Sequence, residues 1–120
     1  MPIGFILADL LARCEQAIGV AFLDESGEAI ETVCSDIQPD AVRMAGVLAQ
    51  IHLRRLALIV ASSGERAGLF HVEGEQRHIH ALELKDDYLL LVIQRSPASV
   101  GHTQRSLRSA GEQLEREILS

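Results

Sequence analysis

The chain is poor in aromatic residues and contains no tryptophan. Its 120 residues include one Tyr and three Phe, so aromatic side chains make up 3% of the sequence. Proteins that bind single-stranded nucleic acids stack the bases on aromatic side chains, and such a platform is missing here. The 17 acidic and 11 basic residues give a net charge of -6, which also disfavours an extended surface for phosphate backbones. We therefore expect no nucleic-acid partner.

Long apolar runs are absent, and cysteines are few. No apolar run approaches the roughly 18 residues that a membrane-spanning helix needs, so we expect no membrane insertion. Cys14 continues a helical apolar stripe and Cys34 ends a strand-like run, and both are predicted to be small buried side chains in a reducing cytoplasm. With 48% hydrophobic and 23% charged residues, the chain is typical of one folded domain, which we place at residues 1–120.

Recognisable catalytic and nucleotide-binding motifs are also missing. No Gly-x-Ser-x-Gly sequence presents a nucleophilic serine, and the segment SSGERAG contains no lysine that could reach a phosphate. Serines near the predicted helix ends are explained by capping. Acidic pairs such as Asp86-Asp87 fall in predicted turns. We therefore predict a protein that is not an enzyme and has no cofactor.

The most informative segment of the chain runs from Pro39 to about Ser63. On a helical wheel its apolar side chains form two separate stripes. The broad stripe consists of Val42, Ala45, Gly46, Ala49, Leu53, Leu56 and Val60. The narrow stripe, on roughly the opposite side, consists of Met44, Val47, Ile51 and Leu58. A helix that covers a sheet in a monomer needs only one stripe, so the second predicts that the chain is a subunit.

The end of this segment has a competing interpretation. Residues 56–61, LALIVA, are also typical of a buried β-strand, and so short a run does not reveal its period. Val60 continues the broad stripe that begins at Val42, which favours one long helix. We expect that helix to end at Ser62-Ser63-Gly64.

The rest of the chain predicts two more helices and five strands. Residues 3–14 have the spacing of an amphipathic helix, and AIGVAFLD with EAIETVCS reads as a hairpin whose turn contains Gly27. Gly68–Val72 is predicted as an edge strand and YLLLVIQ as a central strand. Ser96-Pro97 opens the last helix. The fold class is α+β in the order α-β-β-α-β-β-β-α, with the long middle helix on one face of an antiparallel sheet and both terminal helices on the other.

This order, the hairpin IGVAFLDESGEAI, the long middle helix and the ending PASVGHTQRSLRSAGEQLEREI resemble the Roadblock/dynein light chain family over essentially the whole chain. The resemblance implies a homodimer or heterodimer in which the long helices pack antiparallel. It also implies that the third strands pair across the axis into a ten-stranded sheet. For stand-alone modules of bacteria and archaea, it implies a Ras-like small GTPase as partner. Such a module acts as an activator of GTP hydrolysis or as a scaffold, without binding nucleotide itself.

The narrow stripe supports such a dimer independently of the resemblance. We expect the dimer or partner interface to contain Met44, Val47, Ile51, Arg54, Leu58, Gly68, Leu69, Phe70, His71 and Val72. Arg43, Arg54 and Arg55 are placed so that one of them could enter a GTPase active site and stabilise the transferring phosphoryl group. The simpler interpretation is that these arginines are solvated ridges beside the dimer seam.

Three of the five histidines form a candidate metal site. If Gly74 and Glu75 form the tip of a hairpin, His71 faces His78 and His80 lies on the same face. Three such imidazoles are able to bind zinc or to act as a proton-sensitive switch. The alternative is that they are ordinary surface and half-buried histidines, because no Cys or carboxylate completes a recognisable ligand motif.

The leading hypothesis is a homodimeric, cytoplasmic regulator or scaffold that binds a Ras-like small GTPase. A second hypothesis is a small-molecule sensor with a pocket under the middle helix, against which the scarcity of aromatic side chains counts. A third is an architectural subunit of a motor or scaffold complex, which differs from the first only in its partner.

Overall fold

The chain folds as three helices around one five-stranded sheet in the part that the structure describes. The structure is a computed structural model that describes residues 2–35, 37–60 and 68–119. The elements in chain order are α1 Pro2–Arg13, β1 Ala17–Leu23, β2 Ala29–Cys34, α2 Pro39–Val60, β3 Leu69–Glu73, β4 Arg77–Glu83, a single 3-10 turn Lys85–Asp87, β5 Leu89–Arg95 and α3 Val100–Glu117. The predicted fold class and element order are confirmed.

The sheet has the strand order β2-β1-β5-β4-β3, and every neighbouring pair is antiparallel. The central strand is β5, in which every residue except Arg95 is buried, as its continuous apolar run predicts. The edge strand on one side is β3, with a more exposed and more mixed sequence. Both strand positions agree with the predictions from sequence.

Helices cover both faces of this sheet. On one face, Leu7 of α1 and Leu107 of α3 pack in a cluster with Phe22 of β1. On the opposite face, Val42 of α2 packs in a separate cluster with Leu23. Adjacent residues of β1 therefore serve different cores, because side chains alternate across a strand. The two-sided arrangement predicted from the sequence is confirmed.

The middle helix continues as a helix through Val60, so residues 56–60 are not a strand. It lies close to the sheet at Gly46, where an added Cβ would be 2.4 Å from Cδ2 of Leu23. The predicted helix stop at Ser62-Ser63-Gly64 lies outside the described residues. The side chains of Leu53, Leu56 and Val60 in the broad stripe are also outside the described part of the chain.

The last helix begins later than predicted. It starts at Val100, with Ser99 as the N-cap residue that accepts a hydrogen bond from the amide of His102. The preceding residues make other contacts: the amide of Ser96 donates to the carbonyl of Gln76 at 2.9 Å. Because that amide is bonded to a neighbouring element, Ser96 ends the strand region instead of opening the helix.

Among the described residues, no helix combines the length and apolar character needed to cross a membrane.

Candidate interaction surface and histidine cluster

One flank of α2 is apolar and exposed. Met44 is 59% exposed, Ile51 is 44% exposed and Leu58 is 79% exposed. The described side chains of the broad stripe, on the opposite flank of the helix, pack on the sheet. Val47 and Leu48 are exposed on the same helix. Leu48 was not among the predicted interface residues. Its position four residues after Met44 and three before Ile51 is the signal that places it beside them.

Two residues of β3 face the same side of the sheet as α2. Phe70 lies opposite Ala81, which belongs to the core under α2. Val72 is exposed and lies two residues further along the strand, hence on the same face. The ring of His52 on α2 stacks on Phe70 with centroids 5.5 Å apart. We call the set Met44, Val47, Leu48, Ile51, Leu58, Phe70 and Val72 the α2–β3 surface.

The other predicted interface residues of this edge strand have different surroundings. Leu69 packs against the core under α1 and α3, on the opposite face from Phe70. His71 also faces that side, because it pairs with His80. The carbonyl of Gly68 accepts from the amide of Glu83 at 2.8 Å, within the β3–β4 pairing. The side chains of Leu69 and His71 therefore lie outside the α2–β3 surface, and Gly68 is engaged through its carbonyl within the β3–β4 pairing.

A groove of about 430 Å³ lies beside the second half of α2, open to solvent. Its lining residues are Gln50, Arg54, Leu58, Glu83, Asp87, Tyr88 and Leu89. The Gln50 side-chain amide already donates to the carbonyls of Asp24 and Glu25 at 3.0 and 2.8 Å. Its hydrogen atoms are therefore engaged by the hairpin turn and are not free for a ligand.

Two of the three candidate arginines are engaged within the chain. Arg43 pairs with Asp40 at 3.0 Å, one turn earlier on α2. Arg54 donates a hydrogen bond to the carbonyl of Glu25. Both contacts hold the guanidinium groups along the helix or against the hairpin turn. Arg55 is exposed on the same helix.

The three clustered histidines lie on the face of the sheet that α3 covers, but their register differs from the expected one. His71 lies directly opposite His80, and His78 lies opposite Glu73. The expectation that His71 faces His78 directly is therefore wrong. The three imidazoles nevertheless share one face, because His78 and His80 are two residues apart.

The hairpin tip explains the changed register. The amide of Gly74 donates to the carbonyl of Arg77 at 2.8 Å, so the tip consists of residues 75–76 and not 74–75. Moving the tip by one residue shifts every cross-strand pair by two residues. Because the faces of a strand alternate with a period of two, this shift preserves the face on which each side chain lies.

The three rings of the cluster are nearly parallel and in contact. The ring centroids of His71 and His80 are 4.4 Å apart with an interplanar angle of 1°. Nε2 of His71 is 3.0 Å from Nδ1 of His78. Burial is the main cause that lowers the pKa of His80, to about 4, and the neighbouring imidazoles of His71 and His78 lower it further. The hydrogen bond to Gln94 acts in the opposite direction and raises this pKa. His80 is therefore neutral at pH 7.

Neither cysteine forms a disulfide. Cys14 is buried beside α3 and Cys34 is half-buried at the end of β2. Burial raises the pKa of both thiols above their ordinary value. Both groups are thus protonated at neutral pH, as expected for structural thiols.

The helices on both faces of the sheet and their order along the chain define a Roadblock/LC7-type fold. No protein-family model matches the sequence, and no curated protein matches it either. Solved structures do match. The Roadblock/LC7 domain from Streptomyces avermitilis is 14% identical, with a TM-score of 0.81 over 97% of both chains. MglB from Myxococcus xanthus is 17% identical, with a TM-score of 0.84 over 97% of this chain and 94% of that one.

A further structure, described as MglB with tetrameric arrangement, is 18% identical to this chain. Its TM-score is 0.85 over 96% of this chain and 86% of that one. These similarities confirm the Roadblock-type fold that the sequence resemblance implies.

Proposed function

We propose that the chain is a non-enzymatic regulator or scaffold that forms a homodimer through the α2–β3 surface and binds a Ras-like small GTPase. The observation that carries the proposal is the exposed apolar flank of α2 beside an edge strand. A monomer would leave both in water, and large exposed apolar patches are typical of interaction sites. We place the protein in the cytoplasm, where its two free thiols would stay reduced.

Burial of the α2–β3 surface would supply much of the free energy that a dimer needs. The five exposed apolar side chains of α2 are each partly buried in the single chain, so each would contribute about 1 kcal/mol on association. Two chains together would gain on the order of 10 kcal/mol, against an association cost of about 4 to 15 kcal/mol. Pairing of the two β3 edges adds backbone hydrogen bonds and covers strands that otherwise invite aggregation.

The Ras-like partner is proposed from the Roadblock-type fold and from the family resemblance of the sequence. The contacts of Arg43 with Asp40 and of Arg54 with Glu25 favour a module that positions the GTPase's own residues. To enter a GTPase active site, Arg43 or Arg54 would first have to give up its contact within the chain. Arg55 is exposed and is the remaining candidate. We therefore expect Arg43→Ala and Arg54→Ala to leave any stimulated GTP hydrolysis largely intact, and Arg55→Ala tests the remaining candidate.

Sedimentation of purified protein at micromolar concentration tests the dimer. We expect the wild type to be dimeric and Ile51→Glu to be monomeric, because the new carboxylate would be buried without a partner. Phe5→Glu is the matched control, since Phe5 is 76% exposed on α1, away from the α2–β3 surface. A monomeric wild type, or an Ile51→Glu variant that dimerises as tightly as Phe5→Glu, would contradict the proposal.

The GTPase partner is tested with the Ras-like GTPases encoded in the same genome, each loaded with GTP or with GDP. We expect one of them to bind the immobilised wild-type dimer in a nucleotide-dependent way, and Phe5→Glu to bind equally well. Absence of binding by all of them, with the dimer intact, would instead favour an architectural subunit. Turnover measured with and without the dimer then separates an activator from a scaffold.

A small-molecule sensor is the second candidate, and the groove beside α2 is the observation that favours it. Leu58 belongs both to the groove and to the α2–β3 surface, so a second chain would cover part of the opening. A metabolite screen by thermal melting distinguishes the two. A ligand that raises the melting midpoint of the wild type, but not of Tyr88→Ala, would favour the sensor.

A further inference from the structure

We propose that His71, His78 and His80 form a binding site for a divalent transition-metal ion of the zinc class on the α3-covered face of the β3–β4 hairpin. One ring nitrogen from each histidine lies within 4.8 Å of the other two. Binding requires one chain only, so it is independent of the proposed dimer and of its GTPase partner.

The hydrogen bonds of Gln94 define the tautomer of His80. Nε2 of Gln94 donates to the carbonyl of Glu15 and to Oγ1 of Thr103, both at 2.9 Å. Its Oε1 is therefore the atom that faces Nε2 of His80 at 2.8 Å. Since Oε1 can only accept, Nε2 of His80 carries the proton and Nδ1 carries the free lone pair.

That lone pair on Nδ1 of His80 is buried and has no hydrogen-bond partner among the described residues. Buried polar atoms without a partner are rare, because they lose their hydration and gain nothing in return. A buried histidine that serves only packing is expected to pair both ring nitrogens. A neutral imidazole that donates through one nitrogen and leaves the other unbound has the hydrogen bonding of a metal-ligating histidine with its supporting shell. Because the three rings are nearly parallel and His71 stacks on His80, metal binding requires the rings to turn until their lone pairs point at one ion.

The spacing between His71 and His78 also suits a metal ion. Nε2 of His71 and Nδ1 of His78 are 3.0 Å apart. Two nitrogens bound to a tetrahedral zinc ion at about 2.0 to 2.1 Å lie about 3.3 Å apart. In the metal-free protein these two atoms share one proton. On metal binding, the ring that donates it must take the other tautomer, so no net proton needs to leave the site.

A fourth ligand is within reach. Glu73 lies opposite His78 in the hairpin, and its Oε1 is 3.9 Å from Nδ1 of His78. The Glu73 side chain is exposed and able to turn toward the ion, and a water molecule is the alternative ligand. Three imidazoles select zinc, cobalt, nickel or copper over calcium and magnesium, which prefer oxygen ligands. The ion would enter beside His71, which is half-buried on the edge strand.

Titration calorimetry of tag-free, EDTA-treated protein with ZnCl₂ tests this site. We expect saturation at one ion per chain, and a visible spectrum typical of tetrahedral coordination when Co²⁺ replaces Zn²⁺. His71→Ala is expected to weaken zinc binding by at least about tenfold, because loss of a ligand costs no less than loss of a supporting contact. His71 is half-buried, so this variant should keep a metal-free melting midpoint near that of the wild type.

His102→Ala is the matched control for nonspecific binding to imidazole. His102 is exposed on α3, where Nε2 is 3.1 Å from the carbonyl of Arg13, outside the cluster. We expect this variant to bind zinc as the wild type does, and His80→Gln to lose the site. If the wild type takes up no stoichiometric zinc or cobalt, or if His71→Ala binds as tightly as His102→Ala, the proposal is wrong.

Discussion

His52 on α2 stacks on Phe70 of β3, with ring centroids 5.5 Å apart and an interplanar angle of 9°. This contact joins the exposed flank of the long helix to the edge strand, two elements that are separated along the chain. It makes them one surface rather than two isolated patches. A second chain that covers the helix would therefore also meet the strand.

The first prediction concerns Phe70. Phe70→Ala removes an aromatic side chain from the α2–β3 surface together with its stack on His52, so we expect the dimer to weaken about tenfold or more. Sedimentation equilibrium measures the dissociation constant. Phe5→Ala removes a ring of the same size from α1, where it is 76% exposed, and should leave the constant unchanged. Because Phe70 also packs against the core under α2, urea unfolding of both variants checks that the fold is retained. Equal effects of the two substitutions would show that the α2–β3 surface is not the interface.

The second prediction compares two helical glycines. Gly46→Ala should destabilise the protein by about 1 to 3 kcal/mol, because the new Cβ would lie 2.4 Å from Cδ2 of Leu23. Leu23 is itself fully buried and has little room to move. Gly4→Ala is the control, since a Cβ there meets nothing within 4 Å. It should leave stability unchanged or raise it by up to about 1 kcal/mol through helix propensity.

Urea unfolding of the two alanine variants measures both changes. The comparison is informative because helix propensity favours Ala over Gly at either site, so a loss of stability at Gly46 alone reports crowding. If Gly46→Ala were as stable as Gly4→Ala, the close approach of α2 to β1 would be disproved.

The third prediction concerns pH. The side chain of Asp24 accepts hydrogen bonds from the hydroxyl and amide of Ser26 and from the amide of Glu28 in the β1–β2 turn. The bond from the Ser26 hydroxyl is the main cause that lowers the pKa of Asp24 below its ordinary value of 3.8. The stabilisation is therefore fully present above pH 3.8 and is lost as the pH falls through the lower pKa of the folded state.

We expect Asp24→Ala to lower the melting midpoint at neutral pH and to have a smaller effect in strong acid, where Asp24 of the wild type is protonated. Thermal melting of both proteins between about pH 7 and about pH 2 measures the difference. Glu31→Ala, in the neighbouring strand β2, is a control that removes a carboxylate from the same hairpin. A difference between wild type and Asp24→Ala that does not change with pH would contradict the assigned role.

Local patterns in the sequence predict much of the fold. The spacing of apolar residues identifies all three helices, and continuous or alternating patterns identify the strands, since these periods follow directly from backbone geometry. The start of α3 was placed too early, because a Ser-Pro pair does not reveal that the Ser96 amide bonds to Gln76 across the sheet. Leu48 was missed although its spacing from Met44 and Ile51 was available in the sequence.

The candidate sites divide in the same way. The apolar flank of α2 is readable from the helical wheel, because it depends on one element and its own period. The hairpin register cannot be read from the sequence, because it depends on where the tip forms. Local preference allows a tip at residues 74–75 as well as one at residues 75–76. The prediction that the three histidines share a face is still correct, because the register shift is an even number of residues.

The sequence by itself determined the element types, their order and the presence of a helix with two apolar flanks. Only the tertiary structure decided the surroundings of His80, in which Gln94 from β5, Thr103 from α3 and the carbonyl of Glu15 together orient one imidazole. The reason is physical: periodicity records how a residue relates to its own helix or strand. Which distant residues meet depends on strand order and packing, and these arise only when the whole chain folds.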